Sequence, residues 1–299
     1  MEGVSIETSS IYFNESINNL KMKTFQTKNF LLLICAIFLA SLQTACAQTR
    51  PTSNTNISPQ QQADNLKKNM QDPQWRKDNY IVNRDSAYAN PYYAMQKLRG
   101  GNQRFQQGRS IHPRQDPGVI KSLSDGQTPF GIIVGCSDSR VSSEALFDQG
   151  FGDLFVARTA GQVMAQATYA SIEYAYLNLN TKLIVVLGHT SCGAVGAAVS
   201  LPEAPPGHIV TLINAIKPAA TTVSGRTGNQ VENAVRQNVI NQVNELRQLE
   251  SVLSRGYESG DLLIVGAVYD LATGRVEFLE DTLQDFPPTN YGTEDITGR

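Results

Sequence analysis

Two segments decide the fold, Gly131-Ile-Ile-Val-Gly-Cys-Ser-Asp-Ser-Arg140 and Leu183-Ile-Val-Val-Leu-Gly-His-Thr-Ser-Cys192. Each begins with an apolar run typical of a buried strand and ends in side chains that can bind a metal or an anion. In open α/β sheets, ligands bind outside the carboxyl ends of the strands. We therefore expect Cys136, His189 and Cys192 to lie close together.

Two thiols and an imidazole form a soft donor set that suits zinc, and three protein ligands leave the fourth position that a catalytic zinc needs. The alternative is a disulfide between Cys136 and Cys192, which their spacing does not exclude in an exported protein. Asp138 and Arg140 beside the first thiol, and His189 close before the second, favour one zinc ion per chain.

Asp138 has two possible roles beside such a metal. It can be the fourth zinc ligand, which closes the site, or Arg140 can hold it away from the metal through a bidentate pair. The alternative is a purely structural ion pair. Its position two residues after Cys136 favours a catalytic role for Asp138 and Arg140.

Composition is that of an ordinary globular protein, with 299 residues and 41% hydrophobic residues. This length suits one α/β domain with extensions or two small domains. The net charge of −2 gives no indication of nucleic-acid binding.

An apolar run from Phe30 to Ala40 follows several lysines near the amino terminus. It is short for a membrane span, which needs about 20 residues, and its flanks are typical of a secretory signal peptide. A buried core helix is the alternative. The first twenty residues are acidic for such a leader, so Met22 is an alternative start.

Two processing sites follow this run. Cleavage after Ala45-Cys46-Ala47 would release an exported, periplasmic protein that begins at Gln48. Alternatively, acylation of Cys46 would tether a lipoprotein to the membrane. Either outcome leaves Cys136 and Cys192 as the two unmodified thiols of the mature domain.

The pattern along the chain predicts a signal peptide over 1–47, a polar linker over 48–89 with a short helix near 62–70, a zinc domain over 90–283 and a tail over 284–299. Within the domain, helical spacing begins at Pro91, and Gly100-Gly101 should break or bend that helix. Strands are predicted near 130–135, 154–157, 183–187, 262–268 and 276–279. Helices are predicted near 143–147 and 166–179, after His189, and over 229–254.

The predicted fold class is α/β, with a mostly parallel central sheet and one antiparallel edge strand, flanked by helices and preceded by an N-terminal helical arm. Strands alternating with helices indicate parallel βαβ units. The last two strands are close enough in sequence to form a hairpin, which makes the edge strand antiparallel.

These motifs, in this order, resemble those of the β-class carbonic anhydrases. The resemblance runs from Asn90 to Glu280 and includes further matching segments, namely Gln127-Thr-Pro-Phe130, Asp153-Leu-Phe-Val-Ala-Arg158, Ser171-Ile-Glu-Tyr-Ala175 and Gly266-Ala-Val-Tyr-Asp270. It implies zinc-dependent reversible hydration of carbon dioxide to bicarbonate and a proton. It also implies that Asp138 is a zinc ligand in a closed state and is held by Arg140 in an open one.

The same resemblance implies a substrate pocket lined by Gln127, Phe155, Tyr174 and Gly193. It further implies a homodimer or dimer-based oligomer, with an N-terminal helix that embraces the partner. The residues alone, without the resemblance, favour a structural interpretation instead, with Gln127 as a polar strand start and Phe155 and Tyr174 as core aromatics.

Two departures from the family pattern qualify the resemblance. Ile133 stands where bicarbonate-regulated members carry Trp, so the family's allosteric trap is not expected. Arg158-Thr-Ala-Gly-Gln162 replaces the frequent Arg-Asn-x-x-Asn. His112 and His208 are interpreted as surface residues rather than proton shuttles.

Two rival functions remain open at this point. One is a zinc hydrolase of a related small molecule, carbon disulfide or carbonyl sulfide. The other is a non-catalytic zinc-binding module. Membrane association is expected only if Cys46 is acylated.

Overall fold

A computed structural model describes residues 84–201, 204–284 and 291. Nine helices and five strands are assigned within these residues. The helices are α1 (Arg84–Ala89), α2 (Pro91–Gln106), α3 (Pro117–Ser122), α4 (Ser143–Leu146), α5 (Gln166–Leu179), α6 (Gly193–Ser200), α7 (Ile209–Thr222), α8 (Gln230–Gln248) and α9 (Ser251–Glu258). The strands are β1 (Gly131–Cys136), β2 (Leu154–Thr159), β3 (Leu183–His189), β4 (Leu263–Tyr269) and β5 (Val276–Phe278).

The five strands form one sheet in the order β2-β1-β3-β4-β5. Strands β2, β1, β3 and β4 are parallel, and β5 pairs antiparallel with β4. This confirms the predicted mostly parallel sheet with one antiparallel edge strand. Every residue of β1, β3 and β4 is buried, as expected for parallel strands covered on both faces.

Each face of the sheet has its own apolar core. On one face, α8 packs its buried stripe of Val235, Val239 and Val243 against β3 and β4. Gly188 of β3 allows this close approach, because a Cβ there would lie 2.6 Å from a methyl group of Val239. On the other face, Tyr92, Met95 and Leu98 of α2 are buried.

Gly100-Gly101 were expected to break or bend the first long helix, and they do not break it. Helix α2 continues through both glycines to Gln106. A Cβ on Gly101 would lie 1.7 Å from the carbonyl oxygen of Phe147, so this glycine serves the packing of helix against loop. The apolar residues that suggested a partner-embracing arm lie in the chain's own core, because α2 covers one face of the sheet.

The long predicted helix 229–254 is two helices. Helix α8 ends at Gln248, and the Glu250 carboxylate accepts the backbone N–H groups of Val252 and Leu253 to start α9. Helices α1, α3 and α7 are not among the predicted elements. The expected signal peptide, its processing sites and the linker helix near 62–70 lie outside the described residues. Within the described part, no helix combines the length and apolar character needed to cross a membrane.

Candidate metal centre

The candidate ligands converge at the carboxyl ends of two adjacent strands. Cys136 is the last residue of β1, His189 is the last residue of β3, and Cys192 directly precedes α6. One ligand atom from each residue lies within 4.8 Å of the other two. All three residues are buried, at 4%, 0% and 3% exposure respectively.

The buried imidazole of His189 fits a metal. Its Nδ1 lies 2.9 Å from the carbonyl oxygen of Thr190, so an N–H at Nδ1 leaves the lone pair on Nε2. Nε2 is fully buried and has no hydrogen-bond partner in the described part of the chain. A buried ring nitrogen without a partner is costly unless an ion binds it. Two thiols beside this nitrogen complete a zinc-compatible donor set.

The two thiols are electronically different. The neighbouring Cys192 thiol lowers the pKa of Cys136, and the proximity of Cys136 raises the pKa of Cys192. Backbone N–H groups of Asp138 and Gly161 also donate to Cys136 Sγ, at 3.4 and 3.3 Å. Such donors stabilise thiolate, the form that binds metal.

Asp138 and Arg140 form a bidentate ion pair beside these ligands. Arg140 Nε and Nη2 donate to Asp138 Oδ1 and Oδ2 at 2.9 and 2.8 Å. The Arg140 backbone N–H also donates to Oδ1 at 2.9 Å. The Arg140 guanidinium holds the pKa of the Asp138 carboxyl well below its usual range. Oδ2 lies 3.9 Å from His189 Nε2, so this oxygen is on the metal side.

Arg158 supports the first ligand loop, a contact that the sequence analysis missed. Its Nε donates to the Cys136 carbonyl at 2.9 Å, and its Nη2 donates to the Asp138 carbonyl at 2.6 Å. Arg158 was identified only as the start of a variant family motif. Its position in β2, opposite Gly135 of β1, could have indicated this contact.

A second group of missed residues supports the loop between His189 and Cys192. Thr190 receives the backbone N–H of Leu271 on its hydroxyl at 3.0 Å and donates its own N–H to the Tyr269 carbonyl at 2.9 Å. Glu232 accepts the backbone N–H of Ser191 at 2.9 Å. No local sequence signal points to these contacts, because the partners are far apart in the chain.

Three of the four expected pocket residues lie away from the metal ligands within one chain. In the β1–β2 register, Phe155 pairs with Ile132, whereas Thr159 pairs with Cys136. That difference of four residues corresponds to about 13 Å along a strand. The exposed Tyr174 lies next to Phe155, with ring centroids 6.5 Å apart.

The remaining expected residues lie in two places. Gln127 is exposed and precedes β1, at the end of the sheet opposite to the ligands. Gly193 directly follows Cys192 and is exposed, and a Cβ placed there would meet no atom within 4 Å. Ile133 is fully buried. His112 and His208 are exposed, as expected for surface residues.

Comparison with protein families gives a match over the sheet and its ligands. A family model described as carbonic anhydrase matches residues 131–276. The carbonic anhydrase of Mycolicibacterium smegmatis is 41% identical over 192 residues, which make up 63% of this chain and 93% of that protein. Carbonic anhydrase 2 of Mycobacterium tuberculosis is 42% identical over 190 residues, or 62% of this chain and 91% of that protein.

Solved structures give the same result. The β-carbonic anhydrase CcaA matches with a TM-score of 0.50 and 29% identity, over 65% of this chain and 98% of that chain. A Coccomyxa β-carbonic anhydrase in complex with acetazolamide matches with a TM-score of 0.50 and 27% identity, over 54% of this chain and 76% of that chain. The residues matched by the family model include all three candidate ligands.

Proposed function

This chain belongs to the β-class carbonic anhydrases. We propose that Cys136, His189 and Cys192 hold its catalytic zinc ion. The protein is a zinc-dependent enzyme that interconverts carbon dioxide and bicarbonate plus a proton. The observation that carries the assignment of ligands is the buried cluster of two thiols and one unpartnered imidazole nitrogen.

The chain's own residues have defined tasks in this reaction. Zinc, when bound, lowers the pKa of a water molecule from about 15.7 toward about 7 and so supplies a nucleophile at neutral pH. The lowered pKa of Asp138 keeps its carboxylate ionised at neutral pH. We infer that Asp138 Oδ2 accepts a hydrogen bond from the attacking water and orients it. A carboxylate of such low pKa is a weak base, so the proton leaves to solvent or buffer.

Arg140 determines where this carboxylate lies. In the pair seen here, both oxygens of Asp138 are bound by Arg140. Asp138 can become a zinc ligand only if this pair opens. We propose that the intact pair is the catalytic arrangement and that the opened pair, with Asp138 on the metal, is the closed one.

The ligand assignment is tested by metal analysis and a carbon dioxide hydration assay on the full chain, with and without chelator. We expect chelator to abolish activity and Cys192→Ser to lose both zinc and activity. Cys46→Ser, which changes a thiol outside the ligand set, should keep both. Full zinc content with full activity in Cys192→Ser would contradict the assignment.

We propose that a second copy of the chain completes the substrate pocket. Strand β2 is an edge strand of the sheet. Next to it, α5 exposes Tyr174 and Leu177, at 50% and 61%. If a two-fold axis beside β2 related the two copies, the strands of their two sheets would point in opposite directions. The partner's Gln127, Phe155 and Tyr174 would then lie near the metal ligands of the first copy.

Light scattering combined with the hydration assay tests this assembly. We expect a dimer or a dimer-based oligomer at assay concentration. Leu177→Glu should shift it toward monomer and reduce activity, because a charge would be buried in the interface. The exposed Leu249→Glu, on the surface after α8, serves as the control. A fully active monomer would contradict a shared pocket.

We further propose that the enzyme is exported, with removal of the leader before Gln48. The support is the short apolar run from Phe30 to Ala40 between lysines and a small-residue cleavage site. Sequencing of the mature amino terminus from a native host should find Gln48, or an acylated Cys46 in a lipoprotein. An intact chain recovered from the cytoplasm would contradict export.

A further inference from the structure

We propose that Glu232 is a positioning residue of the metal centre. Its carboxylate fixes the short loop that joins two of the three ligands. The inference rests on the zinc site proposed above and adds a residue that lies outside both ligand motifs.

The loop has an unfavourable backbone conformation at its middle. Ser191 lies between His189 and Cys192 and has a φ of 54°. This left-handed conformation is unfavourable for any residue with a Cβ, because the Cβ comes too close to the following carbonyl oxygen. The loop therefore needs an interaction that holds Ser191 in place, because a relaxed Ser191 would change the spacing of its two ligand neighbours.

Glu232 supplies that interaction. The backbone N–H of Ser191 donates to Glu232 Oε1 at 2.9 Å. Carboxylate and amide oxygens both accept such a bond, so the reach of the side chain, rather than its charge, makes this contact. Ser191 is exposed, so this bond holds the loop at the surface of the protein.

The carboxylate is held by a rigid element. Glu232 lies in the first turn of α8, where the Asn229 side chain accepts the N–H groups of Val231 and Glu232. One and two turns further, Val235 and Val239 are buried against the sheet. A side chain on an anchored helix end positions a loop more accurately than one on another loop.

The loop is held from the opposite direction as well. Thr190 bonds to Tyr269 and Leu271 at the end of β4. The ligand loop is therefore fixed between α8 and β4. Glu232 makes its contact through its side chain, so substitution of Glu232 changes the support of the loop and leaves the three ligand residues unchanged.

Two properties of Glu232 can be separated by substitution. The length of its side chain allows the hydrogen bond with Ser191. Its negative charge attracts a cation whether or not this bond forms. Gln keeps the reach without the charge, Asp keeps the charge with a shorter reach, and Ala keeps neither. Glu245→Ala, in the last turn of the same helix, removes a carboxylate that bonds to Tyr169 instead.

The experiment measures the rate at which each zinc-loaded full-length variant releases zinc to excess chelator, together with its melting temperature. If Glu232 acts by position, Glu232→Ala and Glu232→Asp should release zinc about tenfold faster, within the range typical of residues that support metal ligands. Glu232→Gln and Glu245→Ala should release it at the wild-type rate. If Glu232→Ala does not fold, the comparison of Asp with Gln decides.

Two outcomes would overturn the inference. Wild-type release rates in all Glu232 variants would show that the contact does not support the ligands. Fast release from Gln with slow release from Asp would show that charge, not position, matters. If the wild type holds zinc and hydrates carbon dioxide in either case, the proposed function stands and only the role of Glu232 falls. A wild type that binds no zinc would refute both.

Discussion

At the scale of single residues, the pair of Asp138 and Arg140 is more exposed than the three buried ligands. The Arg140 side chain is 55% exposed and that of Asp138 is 19% exposed. Exposed ion pairs contribute little to stability, with a median of about 0–1 kcal/mol. The bidentate geometry therefore fixes the position of the carboxylate and adds little to the stability of the fold.

We predict that Arg140→Ala loses activity by on the order of 10²-fold, because the carboxylate that orients the attacking water is displaced, while its zinc content is unchanged. Without Arg140, the carboxylate can turn toward the metal and close the site. Arg236→Ala is the matched control, because Arg236 forms an exposed pair with Glu277. Metal analysis and hydration assays on both variants check this, and near-normal turnover in Arg140→Ala would reject the role of the pair.

The sequence predicts the metal ligands better than it predicts the residues that hold the ligand loops in place. Cys136, His189 and Cys192 are recognisable because each follows an apolar strand, and strand ends converge. Arg158 and Glu232 act through contacts with residues far away in the chain. Such contacts follow from the packing of whole elements, so no local pattern indicates them.

At the scale of elements, periodicity predicted some helices correctly. It failed where side-chain contacts determine whether a helix ends or continues. The prediction of 166–179 agrees with α5. The break between α8 and α9 was missed, because apolar residues continue past Gln248 and only the Glu250 cap shows that a new helix begins. The glycines of α2 were misread, since a glycine that permits close packing looks the same in sequence as one that ends a helix.

This interpretation of Gly101 can be tested. A Cβ at this position would lie 1.7 Å from the Phe147 carbonyl oxygen, so Gly101→Ala must displace backbone. We predict a loss of about 3 kcal/mol or more in the free energy of unfolding, at the upper end for overpacking. Gly196→Ala in α6 is the control, because no atom lies within 4 Å of its Cβ. There, helix propensity should make the change neutral or stabilising by about 0.5–1 kcal/mol. Denaturant unfolding of both variants measures the difference.

At the scale of the whole molecule, the sheet and the metal centre depend on each other. The ligands come from β1, β3 and the start of α6, so they converge only when the two central strands are paired. A ligand that binds the folded chain and not the unfolded one stabilises it by about 4 kcal/mol at 1,000 times its dissociation constant. We therefore predict that chelation lowers the melting temperature and that added zinc restores it. An unchanged melting temperature after complete zinc removal would contradict this coupling.

The same arrangement predicts a change in thiol chemistry when zinc is removed. Cys136 and Cys192 are both reduced in the structure. Their sulfur atoms are within 4.8 Å of each other, and the pKa of Cys136 is low. We predict that the zinc-free protein forms a Cys136–Cys192 disulfide under mild oxidation, whereas the zinc-loaded protein does not. Thiol titration and mass spectrometry of both forms check this, and equal oxidation rates would contradict protection by the metal.

Roughly 55 residues of chain lie between Cys136 and Cys192, so an ion held by both closes a long loop. A covalent bridge across such a loop removes on the order of 4 kcal/mol of conformational entropy from the unfolded chain. An unfolded chain that kept zinc on these residues would have fewer conformations to search. Its two central strands, β1 and β3, would then start close together, and the sheet would form sooner. Stopped-flow refolding with zinc and with chelator therefore separates two orders of events. A faster rate with zinc means that the thiols bind the ion before the strands pair, and equal rates mean that the ion binds only after the sheet has formed.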